Sequence, residues 1–242
     1  MPAALVTGAA SGIGRAAAER LIADGYEVLS VDLRDDGPGA GYAADLTTRA
    51  GNADAVSAAV DAFGRLDVIV ANAGVQHVSP VAEFPEDRWD TIVALLLTSP
   101  FLLAKYAWQA LAAAGSGRFI AVASVHALVA SPYKAAYVSA KHGLLGLVKT
   151  LALEGADSGI TATAVCPGYV RTPLVEGQLA DQAKSHGVSE AEVLEDVILA
   201  PHAVKRLIEP EEVAGVIAFL AGADGRAFTG VPVTMDMGWS AR

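Results

Sequence analysis

Residues 131–143 read SPYKAAYVSAKHG and set two phenols and two ammonium groups, Tyr133, Tyr137, Lys134 and Lys141, in a background rich in Ala and Ser. Tyr133, Tyr137 and Lys141 stand at i, i+4 and i+8, and Lys134 lies three residues before Tyr137, so on a helix all four project from nearly one face. A phenol beside a cation can hold and release a proton, because a neighbouring positive charge favours the phenolate against its ordinary pKa of about 10. The plain alternative is a solvated helix face. The choice depends on which other elements bring chemistry to the same place.

The chain has 242 residues, enough for one α/β domain with a core on both sheet faces, and we expect a single domain over 1–242. Its 53% hydrophobic composition and 24 glycines suit a buried parallel sheet with tight connections. A net charge of −10 with no basic run excludes the cationic stripe that nucleic-acid binding needs. The apolar run from Ile92 to Ala104 is interrupted by Thr98, Ser99 and Pro100 and is too short to span a bilayer, so no membrane partner is expected. The strand-like Ala3-Ala4-Leu5-Val6-Thr7 comes too early for a secretory leader, and the single Cys166 cannot form an internal bridge. Both points predict a reducing, cytoplasmic setting. Cys166 itself reads as a small core residue in the strand ITATAVCP.

Short apolar runs alternate with helical patterns along the whole chain, as in repeated βαβ units. Strands are expected at 3–7, 26–31, 41–45, 67–71, 117–123, 160–166 and 231–235, and helices at 12–24, 52–63, 86–113, 132–155 and 210–221. The stretch 172–208 has no strand pattern but carries two short amphipathic segments. An insertion after a strand's C-terminal end is a candidate lid, because open α/β sheets bind ligands at that edge; an ordinary pair of surface helices is the alternative.

Gly8, Gly12 and Gly14 in LVTGAASGIGRAAAERL lie between the first strand and the first helix. A dinucleotide fold needs glycines there for a tight turn, for approach to a pyrophosphate and for a helix N-terminus facing the anion. Asp32 ends the next strand, where a carboxylate accepts from ribose hydroxyls and repels a 2′-phosphate, so NAD is expected over NADP. Arg34, two residues on, is the one nearby group that could soften this preference. Asp45 in GYAADLT could reach the adenine edge or cap a helix. Asn72-Ala73-Gly74 ends the fourth strand with small residues that let backbone approach a cofactor.

Together, Thr7-Gly8-x3-Gly12-x-Gly14, Asn72-Ala73-Gly74, Ser124, Tyr137-x3-Lys141 and Pro167-Gly168 resemble the short-chain dehydrogenase/reductase family, over almost the whole chain from Leu5 to Trp239. The resemblance implies a doubly wound Rossmann fold, with a seven-stranded, mostly parallel sheet, helices on both faces and a helical substrate lid at about 172–208. It also implies an NAD-dependent enzyme and a homotetramer. Hydride transfer from an alcohol carbon must be matched by proton transfer at oxygen, and by resemblance Tyr137 is the general base. Lys141 then lowers its pKa and binds the nicotinamide ribose, while Ser124 hydrogen-bonds the substrate oxygen. Tyr133 has no lysine four residues on and is expected to pack. NAD would be held by Thr7, Gly8, Ser11, Gly12, Ile13, Gly14, Asp32, Asp45, Leu46, Asn72, Ala73, Gly74, Tyr137, Lys141, Pro167, Gly168, Val170 and Thr172. One departure stands out: where the family usually has an asparagine holding a water that leads to the lysine, RWDTIVALLLTSPF has Leu96.

The segments NAGVQHVSP, ASVHALVASPYKAAYVSAKHG, CPGYVRTPLVEGQ and GWSAR are similar to the bacterial D-3-hydroxybutyrate dehydrogenases. This similarity implies that Gln76, His126, Lys134 and Gln178 hold the carboxylate of a short hydroxy acid. A cation plus neutral donors is a sensible receptor for a small anion. Tyr169 stands where that group usually has tryptophan, and Trp239 could close the pocket of its own or a neighbouring subunit. His77, His142, His186 and His202 show no pairing, and no cluster has metal-ligand spacing, so no catalytic metal is expected. The expected reaction is oxidation of D-3-hydroxybutyrate to acetoacetate with NAD. The rivals are another alcohol or ketone, such as a sugar, a polyol or a 3-oxoacyl thioester, and an NAD-binding protein of weak turnover.

Overall fold

The computed structural model describes residues 1–186 and 188–241; the side chains of Gln178, 180–182 and 184–186 stand outside that description. Seven strands form one sheet: β1 (Ala3–Thr7), β2 (Glu27–Asp32), β3 (Ala40–Ala43), β4 (Val68–Ala71), β5 (Arg118–Val122), β6 (Thr161–Pro167) and β7 (Pro232–Met235). Their order is β3-β2-β1-β4-β5-β6-β7, and every neighbouring pair is parallel. The central strands are buried at every position because both faces are covered. Successive side chains point to opposite faces. Leu5, Ile69 and Phe119 enter one core with α2 (Arg49–Phe63), α4 (Ser99–Ala113) and α5 (Ala135–Gly155). Val6, Val70 and Ile120 enter the other with α1 (Gly12–Ala23) and α8 (Pro210–Ala221).

This is the doubly wound Rossmann arrangement. From β1 the chain runs outward to β2 and β3, then returns beside β1 at β4 and runs the other way. The reversal leaves a crevice beyond the carboxyl ends of β1 and β4, where α/β folds take their ligands.

Two helices differ from the sequence expectation in ways that bear on the site. The helix expected over 132–155 begins only at Ala135, because Tyr133 adopts φ +67° and Lys134 is the N-cap. Tyr133 and Lys134 therefore leave the face that carries Tyr137 and Lys141.

The helix expected over 86–113 is continuous, but α3 (Glu86–Val93) passes into α4 through a wide π turn at Ala94–Thr98. Pro100 supplies the reason: it has no N–H to give the Leu96 carbonyl, and its ring crowds that carbonyl. The 28-residue run Glu86–Ala113 is long and apolar enough to cross a membrane by length and composition, unlike the shorter apolar stretch within it. Its apolar side lies in the core against the sheet and α5.

The stretch 172–208 forms α6 (Pro173–His186), α7 (Glu190–Val193) and a π turn at Leu194–Ile198. It has a small core of its own, in which Val175, Leu179, Val193, Ile198 and Leu207 meet Tyr169. Its two ends are pinned together, since Arg171 N donates to Ile208 O at 2.8 Å and Ile208 N to Tyr169 O at 3.0 Å.

Candidate active site

The crevice is a cleft of about 420 Å³. Its first wall is the glycine loop. Gly8 sits at φ +66°, a region that favours glycine, and a Cβ there would lie 2.8 Å from Ala73 Cα. A Cβ on Gly14 would run into the Gly8 carbonyl oxygen, so α1 can pack this close to β1 only without a side chain. Thr7 and Asn72 tie the loop to β4. Thr7 Oγ1 accepts from the backbone N–H groups of Asn72 and Ala73 at 2.9 and 3.0 Å, and Asn72 Nδ2 donates to Thr7 O at 2.9 Å.

Every residue expected to hold the cofactor lines this cleft except Thr7 and Gly14. Those two act from behind, because the Thr7 hydroxyl is already engaged and Gly14 has nothing to project. Asp32 Oδ2 accepts from Ala10 N at 3.0 Å and Oδ1 from Leu33 N at 2.7 Å, which holds the carboxylate at the cleft rim. Arg34 is turned to Asp36, with 3.2 Å between Nη2 and Oδ2. Asp45 also lines the cleft and accepts from Thr47 N at 2.9 Å, while the side-chain cap of α2 is Thr48.

At the inner end the β5 strand delivers Ser124, and α5 delivers Tyr137 and Lys141. Ser124 Oγ accepts from His126 N at 3.1 Å and lies 3.4 Å from the Nδ1 of the same imidazole. Burial pushes Tyr137 up to about 12, against a lowering from the Ser124 hydroxyl. This corrects the expectation that Lys141 draws Tyr137 towards phenolate. Lys141 Nζ lies 5.6 Å from the centre of the Tyr137 ring and donates instead to Val122 O at 2.7 Å, and burial lowers it to about 8. Cys166 is buried beside them with its thiol pushed up to about 11, as a core residue would be.

Ser124, Tyr137, Gly168, Leu174 and Val175 are shared with a second, smaller pocket of about 60 Å³. Gln76, His126, Lys134, Tyr169 and Trp239 complete its wall, so the expected substrate residues converge, apart from Gln178, whose side chain lies outside the described residues. Lys134 is only 6% exposed, and its Nζ donates to Tyr169 Oη at 3.0 Å. No carboxylate pairs with it among the described residues, and burial lowers it to about 8. Burial and the nearby Lys134 charge hold His126 down at about 3, so its imidazole is neutral, with Nε2 2.9 Å from Ser131 Oγ. Gln76 Oε1 is buried without a partner among the described residues.

Trp239 closes this pocket from the same chain. Asp236 accepts from Gly238 N at 3.0 Å and Ser240 N at 2.8 Å, folding the C-terminal turn so that Trp239 stacks on Tyr169 at 5.5 Å and meets His126 edge-on at 5.2 Å. Tyr133, expected to pack, is instead 57% exposed, because its left-handed backbone turns it away from α5.

His202, read in the sequence as showing no pairing, has a place in the site. It is fully buried, its Nδ1 lies 3.2 Å from the Arg206 carbonyl, and its ring backs Tyr169 and Trp239 at 6.0 and 5.8 Å. Only the packing of 200–208 against the C-terminal turn brings it there, and no local pattern signals that. Leu174 and Val175, which line both cavities, were legible only as apolar residues at the start of a helix.

Leu96 faces an apolar cluster of Ile92, Ala136 and Ala140, with Phe84, Leu97 and Tyr137 packed against it, and is 1% exposed. An amide there would be set among apolar side chains, with the Tyr137 phenol the sole polar side chain of that cluster. Leu96→Asn is therefore expected to lower stability by about 1–3 kcal/mol, read as a fall in the urea midpoint. An unchanged midpoint would mean that the site can satisfy an amide after all.

A family model described as enoyl-(acyl carrier protein) reductase matches residues 8–240. The chain is 42% identical to a D-beta-hydroxybutyrate dehydrogenase of Rhizobium meliloti, over 99% of this chain and 98% of that protein. It is 38% identical to a D-beta-hydroxybutyrate dehydrogenase of Cupriavidus necator, over 99% and 98%. In three dimensions it is similar to ligand-free aldohexose dehydrogenase of Thermoplasma acidophilum, with TM-score 0.93, 28% identity, and coverage of 100% of this chain and 94% of that one. With a glycine loop at the β1–β4 crevice and Ser124, Tyr137 and Lys141 at its inner end, the chain belongs to the short-chain dehydrogenase/reductase family of oxidoreductases.

Proposed function

We propose that this oxidoreductase converts a short 3-hydroxy acid, D-3-hydroxybutyrate foremost, to the 3-oxo acid with NAD. The observation that carries the reading is Lys134, a buried ammonium group with no carboxylate partner among the described residues, in a small pocket that meets the cleft at Ser124 and Tyr137. A buried charge is costly unless paired, so a counter-ion supplied by substrate is favoured. The pocket volume, about 60 Å³, suits a compact acid group better than a sugar ring or an acyl-thioester chain. The names of the Rhizobium meliloti and Cupriavidus necator relatives support the same substrate class.

The residues present fit a nicotinamide dinucleotide. Gly8 and Gly12 line the cleft at the N-terminus of α1, with Gly14 letting that helix pack close behind them, which suits a pyrophosphate, and the Asp32 carboxylate has lone pairs left for ribose hydroxyls. Arg34 is paired with Asp36 and not with Asp32, which leaves the Asp32 carboxylate to repel a 2′-phosphate and favours NAD over NADP. When bound, NAD supplies the nicotinamide ring that takes up the hydride.

In the direction of oxidation, Lys134 and the neutral His126 and Gln76 orient the acid group, and Ser124 holds the hydroxyl oxygen. Tyr137 takes the hydroxyl proton, and Lys141 keeps a positive charge beside it. The helical segment 172–208 acts as a lid that excludes water from the reacting atoms. We place the enzyme in the cytoplasm, as a homotetramer.

The direct test is steady-state formation of NADH from D-3-hydroxybutyrate. Tight NAD binding without NADH formation would defeat the substrate reading. Asp32→Ala probes the cofactor preference separately. It is expected to cut kcat/KM with NAD by about 10- to 100-fold, the worth of charge-assisted hydrogen bonds, while NADP loses far less. An unchanged ratio between the two cofactors would remove Asp32 from that role.

A further inference from the structure

The protein group that holds the Lys134 ammonium is Tyr169. Lys134 Nζ donates to the phenol oxygen at 3.0 Å and lies 5.0 Å from the centre of the same ring. That contact uses Tyr169 as an acceptor, and a phenol still has one proton to donate. Burial pushes Tyr169 up to about 12, so the proton stays in place at neutral pH. Among the described residues no acceptor takes it.

The ring is also held in place. Trp239 stacks on one side, tilted by 16° at 5.5 Å, and His202 lies at 6.0 Å, itself tethered to the Arg206 carbonyl. Tyr169 further packs against the small core of the 172–208 segment. Tyr169 lines the same pocket as Lys134. Two donors, one charged and one neutral, thus stand one hydrogen-bond length apart on a rigid wall.

We propose that Tyr169 determines specificity, its phenol proton and the Lys134 ammonium together forming a two-donor clamp for the two oxygens of one substrate carboxylate. The inference rests on the acid-substrate reading and deepens it. An indole or a phenyl ring at this position would supply the wall but not this donor. The clamp selects a planar anion over a neutral polar group, because only the anion satisfies both donors and the charge at once.

The test uses the NAD-loaded enzyme and Tyr169→Phe, which keeps the ring and removes the hydroxyl. Binding of butyrate, a non-reacting short acid, is followed by calorimetry, and kcat and KM are measured with D-3-hydroxybutyrate and with butan-2-ol, a neutral alcohol of similar size. Expected is an approximately tenfold weaker butyrate affinity and a KM for the hydroxy acid raised by about the same factor, with kcat within about twofold and KM for butan-2-ol unchanged. The clamp is overturned if butyrate affinity does not change, or if KM rises equally for acid and alcohol, since that marks a packing role. Wild-type enzyme that neither binds butyrate nor oxidises 3-hydroxybutyrate overturns the acid reading along with the clamp. A wild-type enzyme that does both, beside an unaltered Tyr169→Phe, overturns the clamp alone.

Discussion

Tyr137→Phe is expected to lower turnover by about 10²- to 10⁴-fold, the usual worth of a positioned proton-transfer group, while NAD affinity stays within about twofold. Phenylalanine keeps the ring that packs beside His126, 5.9 Å away, and on the cluster around Leu96, so the fold should not register the change. What disappears is the one phenol that both lines the cleft and meets the small pocket at Ser124. The pH profile gives a second signature. Burial holds Tyr137 near 12, so below that pH the phenolate fraction, and with it kcat for oxidation, should climb with pH. Reduction of the 3-oxo acid uses the protonated phenol and should not climb in the same way. Stopped-flow NADH formation with isothermal titration of NAD checks both. Turnover above one tenth of wild type in the variant would remove Tyr137 from the proton-transfer role.

Lys134→Met should raise KM for the acid by about 10- to 100-fold and leave kcat comparatively intact, since a charge-assisted contact to the carboxylate is lost and the reacting carbon is not touched. The same substitution should stabilise the protein at neutral pH. Burial lowers Lys134 from 10.5 to about 8, so the folded state resists carrying this proton. That penalty is fully present below pH 8, shrinks as pH rises from 8 towards 10.5, and is gone above the unfolded value, because the unfolded chain binds more protons in that window. The shift corresponds to at most about 3 kcal/mol, and urea midpoints of the two proteins at pH 7 and pH 10 measure it. Butyrate binding to wild type should weaken above pH 8, where the ammonium charge is lost. A variant with unchanged KM and no gain in midpoint would show Lys134 to be an ordinary surface lysine. These opposite effects on binding and stability are the mark of a group kept for function.

The parts of the site that were legible in the sequence are those where a residue type does a local job. Gly8 and Gly14 are needed by the backbone of one turn, Asp32 ends a strand that had to be there, and Tyr137 and Lys141 are one helical turn apart. The strand and helix pattern was readable for the same reason, since burial of both sheet faces leaves a mostly apolar run in the central strands. Spacing misled where the helix had not yet begun. Tyr133 and Lys134 look like members of the Tyr137 face, yet a left-handed Tyr133 separates them, and that conformation is backed by a bond from Ser79 N to Tyr133 O at 2.9 Å, over fifty residues away in sequence.

By itself, the sequence determined the fold class, the glycine loop with its acidic partner, and the placement of Tyr137 and Lys141 on one helix face, because each depends on residues near one another in the chain. The tertiary structure alone decided that Lys134 is buried without a carboxylate, that Tyr169 holds it, and that His202 and Trp239 brace Tyr169. It also decided the direction of the Tyr137 shift, where burial outweighs the lowering from the Ser124 hydroxyl, and it turned the Lys141 ammonium to the Val122 carbonyl. Burial, pairing and ring stacking arise from contacts between β6, α5, the 172–208 segment and the C-terminal turn, and sequence spacing has no access to distances between elements so far apart in the chain.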